Sequence, residues 1–220
     1  MNLLYSILTT VLVNLSLGGC ATDQGNGTEQ VDLSQREAGT EVAIFAGGCF
    51  WCTEAVFERV IGVTDVVSGY TDGSQASPTY RQVSYGETDH TEAILIYYDP
   101  KVVSYASLIE IFFATHNPTQ LNRQGPDVGR QYRSGVYFRT DAEKKAALDH
   151  IAKLDKSGKY GKKIVTEVKA FDKFWLAEKY HQDYYEINPG NPYIINIAVP
   201  KVKKFKKYFP DQVKTQYRSE

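Results

Sequence analysis

Residues 41–60 read "EVAIFAGGCFWCTEAVFERV". Glu41-Val-Ala-Ile-Phe-Ala46 is a short apolar run closed by Gly47-Gly48, the pattern of a buried strand that ends in a tight turn. From Phe50 to Val60, apolar residues recur at helical spacing, among them Trp51, Ala55, Val56 and Val60. Strand, glycine turn and helix is the implied unit. It sets Cys49 at or beside the helix N-terminus and Cys52 about one turn further on.

Outward from this unit, Thr91 to Tyr98 (TEAILIYY) reads as a second buried strand stopped by Asp99-Pro100, and Ser104 caps a helix through Thr115. His116 to Ser134 (HNPTQLNRQGPDVGRQYRS) is a long polar connection, a length that usually carries function. A strand follows over Gly135 to Arg139. Thr140 and Glu143 then have capping-box spacing before a helix that ends near Gly158. Ile164 to Ala170 reads as a strand and Phe174 to Glu186 as a helix. Interleaved strands and helices predict one α/β or α+β domain over residues 41–210, with a short tail over 211–220.

The 220 residues, 42% hydrophobic and 23% charged, suffice for one domain with a real core, and no internal repeat is visible. A formal net charge of -1, without a Walker-type loop or G-x-G-x-x-G, gives no reason to expect a nucleic-acid or nucleotide partner. The first twenty residues form a mainly apolar run with the features of an export signal. Their end, Leu17-Gly18-Gly19-Cys20, resembles a bacterial lipobox, which marks Cys20 for lipidation. The expected location is then the bacterial envelope, lipid-anchored and facing the periplasm. Residues 21–40 are rich in Gly, Thr, Gln and acids, and are expected to form a flexible tether.

With Cys20 set aside, Cys49 and Cys52 are the remaining cysteines. A thiol titrates at about 8.5 in isolation, and unpaired N–H groups at a helix start favour its thiolate. Cys49 therefore reads as the nucleophile and Cys52 as the group that attacks whatever oxidised species Cys49 becomes. Zinc is the poorer reading, because no second C-x-x-C accompanies this one and the four histidines are scattered. C-x-x-C after a strand also fits a thioredoxin-like fold, although the middle pair there is usually small, basic or proline-containing. Here it is Phe50-Trp51, which suggests either core packing or a pocket for a small apolar group.

Strand alternation places Glu92 on one face with Ile94 and Ile96. A carboxyl held there is protonated near neutral pH by desolvation and is able to act as a general acid; taken alone, a glutamate at a strand start reads as a surface residue. Tyr80 and Tyr132 lie in polar segments from which their hydroxyls can reach a substrate oxygen. Asp127 sits in "GPDVGRQY", where a turn residue is the ordinary reading.

These residues resemble the A class of peptide methionine sulfoxide reductases. Gly48-Cys49-Phe50-Trp51-Cys52 matches that family's active-site signature, and "GYTDG" at 69–73, "SPTYRQV" at 77–83, "HTEAI" at 90–94, the long polar connection, an "AEKYHQDY"-like segment and a "PKVKKF"-like tail match further motifs. The resemblance covers about Val42 to Phe209 and implies a ferredoxin-like two-layer fold. It implies that Cys49 attacks the sulfoxide sulfur of the S epimer and that Glu92 protonates the oxygen. Tyr80 and Tyr132 would hydrogen-bond that oxygen, Asp127 would orient the site, and Phe50 and Trp51 would hold the substrate methyl. Oxidised protein or free methionine sulfoxide is the implied substrate. No cofactor is implied beyond an external dithiol such as thioredoxin. Many members carry a resolving cysteine in the C-terminal tail. This chain has no cysteine after Cys52, so Cys52 or an external thiol must resolve Cys49. The rival functions are a thioredoxin-like disulfide oxidoreductase and a non-catalytic peptide-binding lipoprotein. The lysine-rich tail "PKVKKFKKYF" reads as a solvated basic face, or as a contact for anionic lipid.

Overall fold

A computed structural model describes residues 28–219; the export segment with Cys20, and the first part of the expected tether, lie outside the described residues. β1 (Glu41–Gly47) and α1 (Phe50–Glu58) form where the apolar run and the helical spacing put them. β2 (Val63–Thr71) and α2 (Tyr80–Ser84) follow, then β3 (Thr91–Tyr98) and α3 (Tyr105–Thr115). Inside the long polar connection, β4 (Arg123–Gln124) and β5 (Asp127–Val128) pair as a small hairpin. β6 (Ser134–Phe138), α4 (Asp141–Ser157), β7 (Glu167–Ala170), β8 (Phe174–Leu176), α5 (Tyr184–Ile187) and α6 (Val199–Tyr208) complete the chain. No described helix is long and apolar enough to cross a membrane.

The main sheet has the order β7-β6-β1-β3-β2-β8, antiparallel except for the parallel pair β6 and β7. Its centre, β6-β1-β3-β2, arises from a β-α-β-β-α-β succession, the ferredoxin-like arrangement. On one face Phe45 stacks on Phe112 of α3 at 4.9 Å and meets Phe57 of α1 at 5.8 Å, and Phe205 of α6 joins the same core. Truncating a ring such as Phe112 to alanine costs about 3–5 kcal/mol in a core of this kind.

The reverse face carries a second cluster of Ile44, Leu95, Tyr137 and Phe174, against which Val31, Leu33 and Phe171 pack. This changes the reading of residues 21–40. From Thr28 onward the segment is laid along β8: Val31 N–H donates to Phe174 O at 2.9 Å, Leu176 N–H donates to Glu29 O at 2.8 Å, and Gln30 bridges to Trp175. Few apolar residues suffice here, because the sheet offers them an uncovered face.

The helix expected over Phe174 to Glu186 is not formed. Phe174–Leu176 is the strand β8 on the edge of β2, Lys179–His181 is a single 3-10 turn, and α5 is confined to Tyr184–Ile187. The open edge of β2 decides this. Gly69 lies so near β8 that a Cβ on it would sit 2.3 Å from both the Phe174 ring and Trp175 O. Gln182 then continues the edge with its side chain, accepting from Ser68 N–H at 2.9 Å and donating to Ser68 O at 3.0 Å. The strand expected over Ile164 to Ala170 forms only from Glu167.

Candidate active site

Cys49 caps α1 directly after Gly48, whose φ of +88° is a conformation that a side chain would strain. A Cβ on Gly48 would also lie 2.4 Å from Gln124 Cβ. Gln124 is buried and closes a double hydrogen bond with Asn117, accepting from its N–H and donating to its carbonyl, both at 3.1 Å. The polar connection is thereby held over the start of α1.

Cys49 is buried, 6% exposed, and Cys52, one turn deeper, is fully buried. The expectation that the helix terminus lowers the Cys49 pKa does not hold. Burial pushes its thiol well above the ordinary value, and its neighbour Cys52 adds to the shift. Cys52 is held below its ordinary value by the hydrogen bond from Cys49, against its own burial, with help from the Lys201 charge. A buried pair of this kind sheds one proton readily and the second with difficulty.

Seven predicted residues, Cys49, Phe50, Trp51, Tyr80, Glu92, Asp127 and Tyr132, line one cavity of about 200 Å³, together with Tyr193. Glu92 is 1% exposed, and its Oε2 accepts from Phe50 N–H at 3.0 Å. Burial raises its pKa to about 8; the Phe50 hydrogen bond opposes this, and the negative charges of Asp127 and Cys52 reinforce it. At neutral pH Glu92 is thus a proton donor aimed at the same space as Cys49. Thr91, beside it, donates its hydroxyl to Gln131 O at 2.9 Å, which fixes β3 against the segment bearing Tyr132. Among the described residues, neither the Tyr80 nor the Tyr132 hydroxyl is committed to another group, and burial holds both phenols protonated.

The apolar wall is closely packed. Phe50 is fully buried against Tyr70, Tyr80 and His181. The Trp51 indole lies flat on Tyr184 at 3.8 Å, and its N–H donates to His181 Nδ1 at 3.1 Å. Burial lowers the His181 pKa to about 4, so its ring stays neutral and Nδ1 stays an acceptor. Glu178 accepts from Tyr80 N–H at 2.8 Å and from the Tyr70 hydroxyl at 2.9 Å, tying α2 to the wall.

Sequence reasoning missed Tyr193, Glu178, His181 and Tyr184 as site-building residues. Tyr193 donates to Asp127 Oδ2 at 2.6 Å and lies 3.9 Å from Cys52 Sγ, so it links the predicted aspartate to the deeper sulfur. Nothing in "NPGNPYI" distinguishes this tyrosine from the chain's fifteen others. The remaining three fall within the 178–184 stretch that was read as one continuous helix.

The family model for peptide methionine sulfoxide reductase matches residues 41–213. The chain is 49% identical over 185 residues to peptide methionine sulfoxide reductase MsrA 2 of Synechocystis, covering 84% of this chain and 86% of that one. It is 48% identical over 174 residues to the MsrA of Haloquadratum walsbyi, covering 79% of this chain and 99% of that one. Among solved structures, reduced Mxr1 from Saccharomyces cerevisiae aligns with a TM-score of 0.65 at 35% identity, covering 71% of this chain and 90% of that one. Methionine sulfoxide reductase A of Corynebacterium diphtheriae aligns with a TM-score of 0.62 at 33% identity, covering 70% and 78%. The alignment thus takes in almost the whole of the Haloquadratum walsbyi protein. Neither rival function is favoured by these likenesses. On the family match, the identities and the shared fold, this chain belongs to the peptide methionine sulfoxide reductase family.

Proposed function

We propose that the chain reduces the S epimer of methionine sulfoxide, free or within oxidised proteins, to methionine, with Cys49 as nucleophile and Glu92 as acid. The observation that carries this reading is one small cavity holding a thiol, a carboxyl that is protonated at neutral pH and two uncommitted phenol hydroxyls against an apolar wall. The sulfoxide oxygen accepts hydrogen bonds from Tyr80 and Tyr132 while the methyl rests on Phe50 and Trp51. Cys49 attacks the sulfoxide sulfur and forms a sulfur–sulfur bond while Glu92 delivers its proton to the oxygen, and the thiol proton passes to Glu92 in its place. The protonated oxygen then transfers to the Cys49 sulfur, breaking both the sulfur–oxygen bond of the substrate and the sulfur–sulfur bond, so that methionine leaves and Cys49 is a sulfenic acid. Cys52 condenses with it, forming the Cys49–Cys52 disulfide and water. An external dithiol, for which a thioredoxin-like protein is the proposed source, returns both sulfurs to thiols. Asp127 acts through Tyr193, holding that hydroxyl beside Cys52.

The test is turnover of the separate R and S epimers of a blocked methionine sulfoxide by residues 28–220 with dithiothreitol. Reduction of S alone, abolished by Cys49→Ser, is expected; turnover that survives this change would remove Cys49 from the chemistry. We further propose that Cys20 carries a lipid that anchors the protein in the bacterial envelope, a reading supported by the lipobox-like sequence. Membrane partitioning unchanged in Cys20→Ala would end it.

A further inference from the structure

The largest concentration of positive charge lies away from the cavity of Cys49. Residues 150–163 and 199–208 together hold ten of the chain's 25 Lys and Arg but only one of its 26 Asp and Glu. α3 packs against both α4 and α6, which brings the two stretches to one region of the molecule. Between them lies a cavity of about 440 Å³, more than twice the volume of the one at Cys49. Phe113, Leu154 and Phe209 give it an apolar lining, and Lys153, Lys159 and Lys204 stand around it.

Among the described residues no carboxylate pairs with these three lysines, although Glu110 also lines the cavity. Elsewhere Arg133 and Lys169 both pair with Asp72. The Lys204 ammonium is pushed below its ordinary value by burial first, and then by Lys159 and Lys201. Cations held near one another over an apolar lining are relieved by an anion, and the lining adds affinity for any hydrocarbon attached to it.

We propose that this cavity is a binding site for an anionic amphiphile, with a phosphate or carboxylate head held by Lys153, Lys159 and Lys204 and an apolar tail on Phe113, Leu154 and Phe209. The head and tail can be those of a free acid or phosphate ester, or of an anionic membrane lipid; the recognised chemistry is the same.

The experiment is calorimetric titration of the full chain with octyl phosphate below its micellar concentration, alongside octanol. Saturable binding of octyl phosphate that weakens with added salt is expected, with octanol bound far less tightly. The triple change Lys153→Gln, Lys159→Gln, Lys204→Gln should weaken binding about tenfold or more, roughly 1.4 kcal/mol, while sulfoxide turnover is kept. Ala114→Phe, which fills the cavity from α3, should abolish binding of the tail by a separate route. Absence of saturable binding, equal affinity in the triple variant, or octanol held as tightly as octyl phosphate would overturn the proposal. Co-sedimentation with phosphatidylglycerol vesicles but not phosphatidylcholine vesicles, lost in the triple variant, assigns the membrane as the source. Retained octyl phosphate binding without vesicle capture assigns a free amphiphile.

Discussion

Glu92 on β3 and Asp72, just past the end of β2, are close neighbours in the sheet, since Tyr70 pairs with Glu92. Their surroundings hold them in opposite protonation states. Around Glu92 there are aromatic rings, sulfur and one backbone N–H, so burial dominates and the carboxyl keeps its proton up to about pH 8. Burial acts on Asp72 in the same direction, but hydrogen bonds from Lys169 and Arg133, both at 2.8 Å, outweigh it and hold the carboxyl ionised below its ordinary range. A carboxyl drawn out of water becomes an acid or a structural anion according to whether the fold supplies cations. This domain does one at the cavity and the other at the strand that frames it.

The largest effect should come from removing the acid. Glu92→Gln keeps an acceptor for Phe50 N–H but has no proton to give, and kcat should fall about 10²–10⁴-fold. In the proposed reaction the neutral carboxyl is the active form, so kcat of the unaltered protein should hold below about pH 8 and fall above it. That descending limb should vanish in the glutamine variant, and its persistence would assign the titration to the cysteine pair.

The anionic half of the comparison is broken by Arg133→Met. Arg133 is 2% exposed and joins Asp72, with Glu167 nearby at 3.4 Å. Leaving these carboxylates with Lys169 alone should cost about 3–5 kcal/mol, or roughly 10 °C in Tm. Tyr132, its chain neighbour, should lose position with it, so KM should rise even where the protein remains folded.

A smaller effect sharpens the rule away from either site. Glu54 on α1 is 1% exposed, and burial, with the Glu58 carboxyl beside it, raises its pKa to about 9. Its folded pKa lies above the unfolded one, so its contribution to stability is complete below about pH 4.5 and is lost as pH rises through about 9. Glu54→Gln should flatten the decline of Tm between pH 5 and pH 9, by about 2–4 °C for each kcal/mol removed. An unchanged decline would transfer it to Glu58 or Glu92.

Much of this was legible along the chain wherever one residue's neighbours in sequence are also its neighbours in space. The run before Gly47, the spacing from Phe50 and the alternation around Glu92 each report their own burial. Even the cavity was legible, because seven of its eight lining residues lie in short motifs within residues 48–52, 77–83, 90–94 and 116–134. What escaped depends on partners distant in the chain. Phe174–Leu176 becomes a strand only because β2 leaves an edge beside Gly69, and Val31 is ordered only because the reverse face of the sheet is uncovered. Tyr193 matters through Asp127, 66 residues away. The thiol pKa was misread for the same reason: the helix terminus is local, whereas the burial that overrides it is assembled from the whole fold.

Trp51 stands between the two cysteines in sequence, one face on Tyr184 and its N–H on a histidine that stays uncharged above about pH 4. The chain has one other tryptophan, Trp175 on the far edge strand β8. Indole emission is quenched by a nearby disulfide and by protonated imidazole, and the second quencher is absent here at neutral pH. The brightness of Trp51 should therefore report the proposed bond between Cys49 and Cys52. Every oxidation and re-reduction of that pair can be followed as a dimming and recovery of light from the native chain, without any label.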